Sequence, residues 1–104
     1  MNISGSPHLS LSEVMAWCHG KADSLGRVGF VCEVKENLEC DNRSVTMTVD
    51  GKNIIAELVI WSGGRIYSEA LSPHTGARQY LKDTDVEDMN SLEAEAADFF
   101  RLFL

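Results

Sequence analysis

Asn53-Ile54-Ile55-Ala56-Glu57-Leu58-Val59-Ile60-Trp61 is the longest apolar run in the chain. β-branched and aromatic residues dominate it, and Asp50-Gly51 and Ser62-Gly63-Gly64 bound it with turn signals. That combination reads as a strand rather than a helix. The run is apolar at both alternating phases. Ile54, Ala56, Leu58 and Ile60 line one face, and Ile55, Val59 and Trp61 the other. A strand apolar on both sides is either covered on both faces or keeps one face for a partner. It is read as the central strand of a sheet.

Working outward, Asp50-Gly51 is the strongest short hairpin signal. A two-residue turn there pairs Val49 with Lys52, Met47 with Ile54 and Val45 with Ala56. Ser44 to Val49 is thus the preceding strand, with Val45, Met47 and Val49 inward and Thr46 and Thr48 outward. Arg27 to Glu36 alternates as a further strand, joined to it by a polar loop from Asn37 to Asn42. After the central strand, Ser62-Gly63-Gly64 makes a tight turn into a strand from Arg65 to Leu71. Ser72 to Gly76 is a loop, and Ala77 to Asp83 is an edge strand guarded by Arg78, Gln79 and Lys82.

Helical patterns flank the strands. Ser10 and Glu13 have capping-box spacing, and Leu11, Val14, Met15, Cys18, Ala22 and Leu25 follow at helical period. The first helix therefore runs from about Ser12 to Leu25, after a flexible lead-in, with Gly26 as its left-handed cap. Asp85 to Asn90 is an acidic linker. Asn90 or Ser91 caps a last helix with Leu92, Ala96, Phe99, Phe100 and Phe103 on one stripe, running to Leu104. Sequential strands on short turns pair antiparallel, and helices with one apolar stripe cover one sheet face. The expected fold is α+β: an antiparallel meander of about five strands, with both terminal helices packed on one face.

The 104 residues suit one domain, spanning 1–104, and 44% apolar content suits a packed core. The net charge of -7 opposes nucleic acid and anionic membranes and favours a basic protein partner. The N-terminal stretch has no basic flank or apolar core, so no signal peptide is expected, and no run reaches the length of a membrane span. Cys18, Cys32 and Cys40 are odd in number and unpatterned, which fits reduced thiols in a cytoplasmic protein.

Constellations for chemistry are weak. Cys18 and His19 are helix neighbours whose side chains diverge. Cys32 and Cys40 lack the spacing of a zinc site, and His8 and His74 lie in polar loops. Ser62-Gly63-Gly64 is not followed by the helix and lysine of a phosphate loop. Asp83, Asp85, Glu87 and Asp88 lack calcium-loop spacing and read as a solvated acidic lead into a helix. No catalytic residue, cofactor or metal is expected. Trp61, Arg65 and Tyr67 cluster at one hairpin end and are residue types enriched in binding hot spots. The other reading has Trp61 packed over the sheet edge and Tyr67 in the core.

Ser44-Val45-Thr46-Met47-Thr48-Val49-Asp50-Gly51, Ala56-Glu57-Leu58-Val59-Ile60-Trp61-Ser62-Gly63-Gly64, Glu69-Ala70-Leu71 and Thr75-Gly76 together resemble the TriTu family of bacterial immunity proteins. The resemblance extends from the first helix to the last. It implies an antitoxin, active in bacterial competition, made beside a secreted Rhs-type polymorphic toxin of the kind delivered by type VI secretion. The type member's toxin resembles an ADP-ribosyltransferase that modifies elongation factor Tu and stops translation. The implied partner is the cognate toxin domain, bound in a 1:1 complex by a monomer. Such a toxin presents cationic groups for a dinucleotide diphosphate. An acidic inhibitor is steered to them, and Glu57, Glu69, Asp83, Asp85, Glu87 and Asp88 are the candidate charges beside Trp61, Arg65 and Tyr67. A small acidic secretion chaperone is the alternative, and an accessory subunit of a larger complex the third reading.

Overall fold

The computed structural model describes residues 9–39, 41–51 and 53–103. The chain runs α1 (Leu11–Arg27), β1 (Val31–Asn37), β2 (Ser44–Asp50), β3 (Ile55–Trp61), β4 (Arg65–Leu71), β5 (Arg78–Asp85) and α2 (Met89–Arg101). The five strands form one antiparallel meander in the order β1-β2-β3-β4-β5, with β3 at its centre. Both helices lie on the face lined by Val45, Met47, Val49, Ala56, Leu58 and Ile60, which are buried in one cluster with Val14, Cys18, Leu92 and Phe99. The α+β meander expected from the pattern is the observed fold.

An aromatic seam joins the helices to each other and to the sheet. Phe99 is fully buried and meets Phe100 and Phe103 edge-on, with centroids 5.2 and 5.3 Å apart. Phe103 meets Phe30 at 5.3 Å, and Trp17 of α1 meets Phe100 of α2 at 5.6 Å, both T-shaped. Edge-to-face geometry sets positive ring edges on negative ring faces, adding roughly 0.5–1.5 kcal/mol per pair beyond area burial. Glu93 bridges the helices from outside. Its carboxylate accepts from Trp17 Nε1 at 3.0 Å and pairs with Lys21 Nζ at 2.9 Å. On the other flank Lys82 Nζ reaches Glu95 of α2 at 2.7 Å. Lys82 therefore turns inward as a latch on α2, not outward as an edge guard. Its strand position is opposite Ser68, which is itself buried on the inner face.

The β2–β3 hairpin departs from the two-residue turn. Asp50 pairs with Ile55, Met47 with Leu58 and Val45 with Ile60, so Gly51 to Ile54 form a four-residue loop. The expected pairing of Val49 with Lys52 is replaced by Val49 with Ala56, and Lys52 itself lies outside the described residues. A type I′ turn needs positive φ at both central residues, and Gly51 does not have it. Gly51 is instead required for close approach. A Cβ there would lie 2.6 Å from the Phe30 ring. The register moves by four residues, an even number, so every side chain keeps its expected face.

The helix ends also differ in detail. Ser10 accepts from the Glu13 N–H as N-cap, while the left-handed residue after α1 is Gly29, at φ 100°, not Gly26. Leu9, placed in the lead-in, is buried, and its N–H donates to the Ser62 carbonyl at 2.9 Å. Asp88, rather than Asn90 or Ser91, is the N-cap of α2. Its carboxylate accepts from the Ser91 N–H, and the Ser91 hydroxyl accepts from the Asp88 N–H. Helix α2 ends at Arg101. Leu104, and the expectations for His8 and Cys40, lie outside the described residues.

Three outcomes are expected. Gly51→Ala forces the Phe30 ring off Phe103 and destabilises the fold by about 1–3 kcal/mol in denaturant titration. Asp83, Asp88 and Glu93 are all held below the ordinary carboxylate range: Asp83 by its hydrogen bond to Arg65, Asp88 by the Ser91 N–H, Glu93 by Trp17 and then Lys21. A depressed folded pKa contributes stability above the unfolded value of about 4 and loses it as pH falls through the folded value. The melting temperature should be level above about pH 5 and drop below about pH 4. Asp88→Ala should lower it by a few degrees at neutral pH and flatten that acid decline.

Candidate functional site: the open face of the sheet

Among the described residues, the second face of the sheet is left uncovered by the helices. Alternation assigns it Val31, Glu33 and Lys35 from β1, Thr46 and Thr48 from β2, and Ile55, Glu57, Val59 and Trp61 from β3. From β4 and β5 it receives Arg65, Tyr67, Glu69, Leu71, Leu81, Asp83 and Asp85. Ile55 and Leu81 are 44% and 47% exposed, so large apolar side chains stand in solvent here rather than in a core. Neither Trp61 nor Tyr67 is a core residue; both are half-buried on this open face.

The nine residues expected to meet a partner fall into three groups. At the turn end, the Arg65 guanidinium lies over the Trp61 ring at 5.1 Å. It is also forked onto Asp83, with Nε donating to Oδ1 at 3.0 Å and Nη2 to Oδ2 at 2.8 Å. Asp85 is directly opposite Arg65 in the β4–β5 ladder. The stack and the bidentate pair hold Arg65 and Trp61 in one orientation before any partner arrives. Asp83 thereby raises the Arg65 pKa, and Arg65 lowers that of Asp83.

In the centre of the face are Glu57, Glu69 and Tyr67. Tyr67 shares the face with Trp61 but lies one row away, opposite Val59, with Glu69 as its charged neighbour rather than the Trp61–Arg65 stack. Glu69 also accepts from Arg78 Nε at 3.0 Å. Burial first, and then neighbouring Glu69, push the Tyr67 phenol above its usual pKa. Glu87 and Asp88 form the third group, off the sheet at the start of α2. They are held near the turn end because the N–H of Val86 donates to the Gly64 carbonyl at 2.7 Å. The carboxylate of Asp88 is occupied as a helix cap.

Sequence pattern had already placed Ile55 and Thr48 on this surface, and it did not single out Leu71 or Glu33. Period-two alternation held the signal for Ile55 and Thr48, which share the phase of Glu57 and Thr46. Leu71 and Glu33 needed the pairings β3–β4 and β1–β2 to be known.

Among the described residues no group of three or more His, Cys, Asp or Glu could hold a metal, and no helix is long and apolar enough to cross a membrane. Burial pushes the Cys18 thiol up to about 12, which leaves it un-ionised and unreactive at neutral pH. Among the described residues of this face no nucleophile is hydrogen-bonded to a base. In a spectrophotometric titration, Tyr67 should ionise above the usual tyrosine value of about 10, and Glu69→Gln should move it back towards that value.

No curated protein matches the chain, and no solved structure matches it. Its sequence does match the family profile described as immunity protein TriTu, over residues 12–102, which takes in nearly all of α1, the whole sheet and α2. With nearly the full length matched, the chain belongs to the TriTu family of immunity proteins.

Proposed function

We propose that this immunity protein protects by direct binding: it docks on the folded catalytic domain of its cognate toxin and blocks it in a 1:1 complex. The observation that carries this reading is the bare sheet face, where exposed apolar side chains, a pre-oriented Trp61–Arg65 pair and an excess of carboxylates share one surface. The toxin is read as an Rhs-type, type VI-delivered ADP-ribosyltransferase acting on elongation factor Tu in the cytoplasm. A cleft that binds the diphosphate of NAD is cationic, and an acidic inhibitor complements it. The protein itself carries out no reaction in this mechanism.

Size shapes the docking. Five strands at about 4.8 Å spacing and seven residues at about 3.4 Å rise make a face of roughly 20 by 24 Å. An interface of roughly 800 Å² of accessible surface per partner takes most of such a face together with its edge loops. The turn end of the sheet and the start of α2 are therefore part of the contact, which brings in Trp61, Arg65, Asp83, Asp85 and Glu87 beside Tyr67, Glu57 and Glu69. Asp88 contributes charge while it caps α2.

Protection through a toxin's lifetime needs nanomolar affinity, about -12 kcal/mol. Purified protein should bind the toxin domain encoded beside it at that strength, and at equimolar amounts stop transfer of ADP-ribose to elongation factor Tu. It should release no ADP-ribose from the modified factor. Asp85→Lys with Glu87→Lys should slow association about tenfold and weaken its salt dependence, with dissociation little changed. Protected cells combined with no detectable binding by the purified protein would refute direct blocking.

A further inference from the structure

Glu57 and Glu69 stand directly opposite each other on β3 and β4. Like charges in that position destabilise a sheet. Glu69 is relieved by Arg78, whose Nε donates to it at 3.0 Å. Glu57 is exposed and has no ion pair or hydrogen bond among the described residues. It is thus a carboxylate held at the middle of the central strand, against repulsion, whose side chain no described residue answers.

The surroundings of Glu57 are shaped for a particular kind of cation. Ile55 and Val59 flank it along β3, Leu71 and Tyr67 are on the neighbouring strand, and Thr48 is its partner across β2. Two hollows meet at Glu57 and Thr48. One, of about 430 Å³, opens towards Glu33, Lys35 and Thr46. The other, of about 210 Å³, opens towards Ile55, Glu69 and Leu71. A planar guanidinium suits an apolar-walled carboxylate site better than an ammonium. It is less strongly hydrated, stacks on aromatic faces and forks onto a carboxylate.

Building on the immunity reading above, we propose that the centre of the open face, with Glu57 as its anchor, docks an arginine-bearing basic surface of the folded toxin domain. Charge complementarity selects this occupant. Acids outnumber bases on the face, and the whole chain carries -7. A second copy of the chain would set like charges against like, and nucleic acid or an anionic membrane would be repelled.

The proposal ties weaker binding to a more stable fold at one residue. Glu57→Gln removes the repulsion with Glu69, so its melting temperature should rise by about 1–4 °C. Its affinity for the neighbouring toxin domain should fall about tenfold or more, chiefly through faster dissociation, and Glu57→Arg should fall further. Asp23→Asn, the same charge change on the exposed surface of α1, should leave affinity within about twofold. If Glu57→Gln binds as Asp23→Asn does, the docking proposal is overturned while the immunity reading stands. If the unaltered protein binds no toxin domain and cells are still protected, both are overturned.

Discussion

Two amphipathic helices can cover only one face of a five-stranded sheet, and the rest of the molecule follows from that limit. The sheet is about 20 Å wide at 4.8 Å per strand spacing, and each helix with its side chains is about 10 Å across. Side by side, α1 and α2 fill one face and have nothing left for the other. The inner face responds by burying nearly every apolar residue it has, from Val45 to Phe99. The outer face keeps Ile55, Val59, Tyr67 and Leu81 partly in water. In a protein whose family is defined by immunity, such a surface is where a partner has room to sit.

The charges divide along the same line. On the covered side, carboxylates tie elements together: Glu93 joins α1 to α2 through Trp17 and Lys21, and Glu95 joins α2 to β5 through Lys82. On the open side, Asp83 and Glu69 are spent on Arg65 and Arg78, which orders those side chains. Glu57 has no answering group among the described residues. Exposed ion pairs add little stability individually. Their effect here is geometric, since they fix how Arg65, Asp83, Glu69 and Arg78 are presented on the open side.

The turn after β3 serves the fold first. Gly64 is left-handed at φ 103°, as the third position of a three-residue hairpin loop requires. The Ser62 carbonyl accepts from Leu9, the Gly64 carbonyl from Val86, and the Ser62 N–H donates to Arg43. One short turn thus gathers the approach to α1, the end of the β1–β2 connection and the exit from β5. The Trp-turn-Gly pattern that carries the family resemblance is therefore chiefly architectural, with Trp61 itself facing outward beside it.

Alternation and helical period by themselves determined the seven elements, their order, the faces of β2 and β3, and the buried stripe of α2. These are local signals, because a side chain's face depends only on its parity along a strand or its angle around a helix. Parity also explains why the hairpin register could shift by four residues without moving a single side chain to the wrong face. Tertiary structure decided what pairing and burial decide. It chose Asp88 over Asn90 as the cap, turned Lys82 inward onto Glu95, and set Tyr67 against Glu69 instead of beside Trp61. It also placed Glu57 opposite Glu69. Twelve positions of sequence separate those two carboxylates, and no local pattern relates them. Only the ladder between β3 and β4 makes them neighbours, at the centre of the open face.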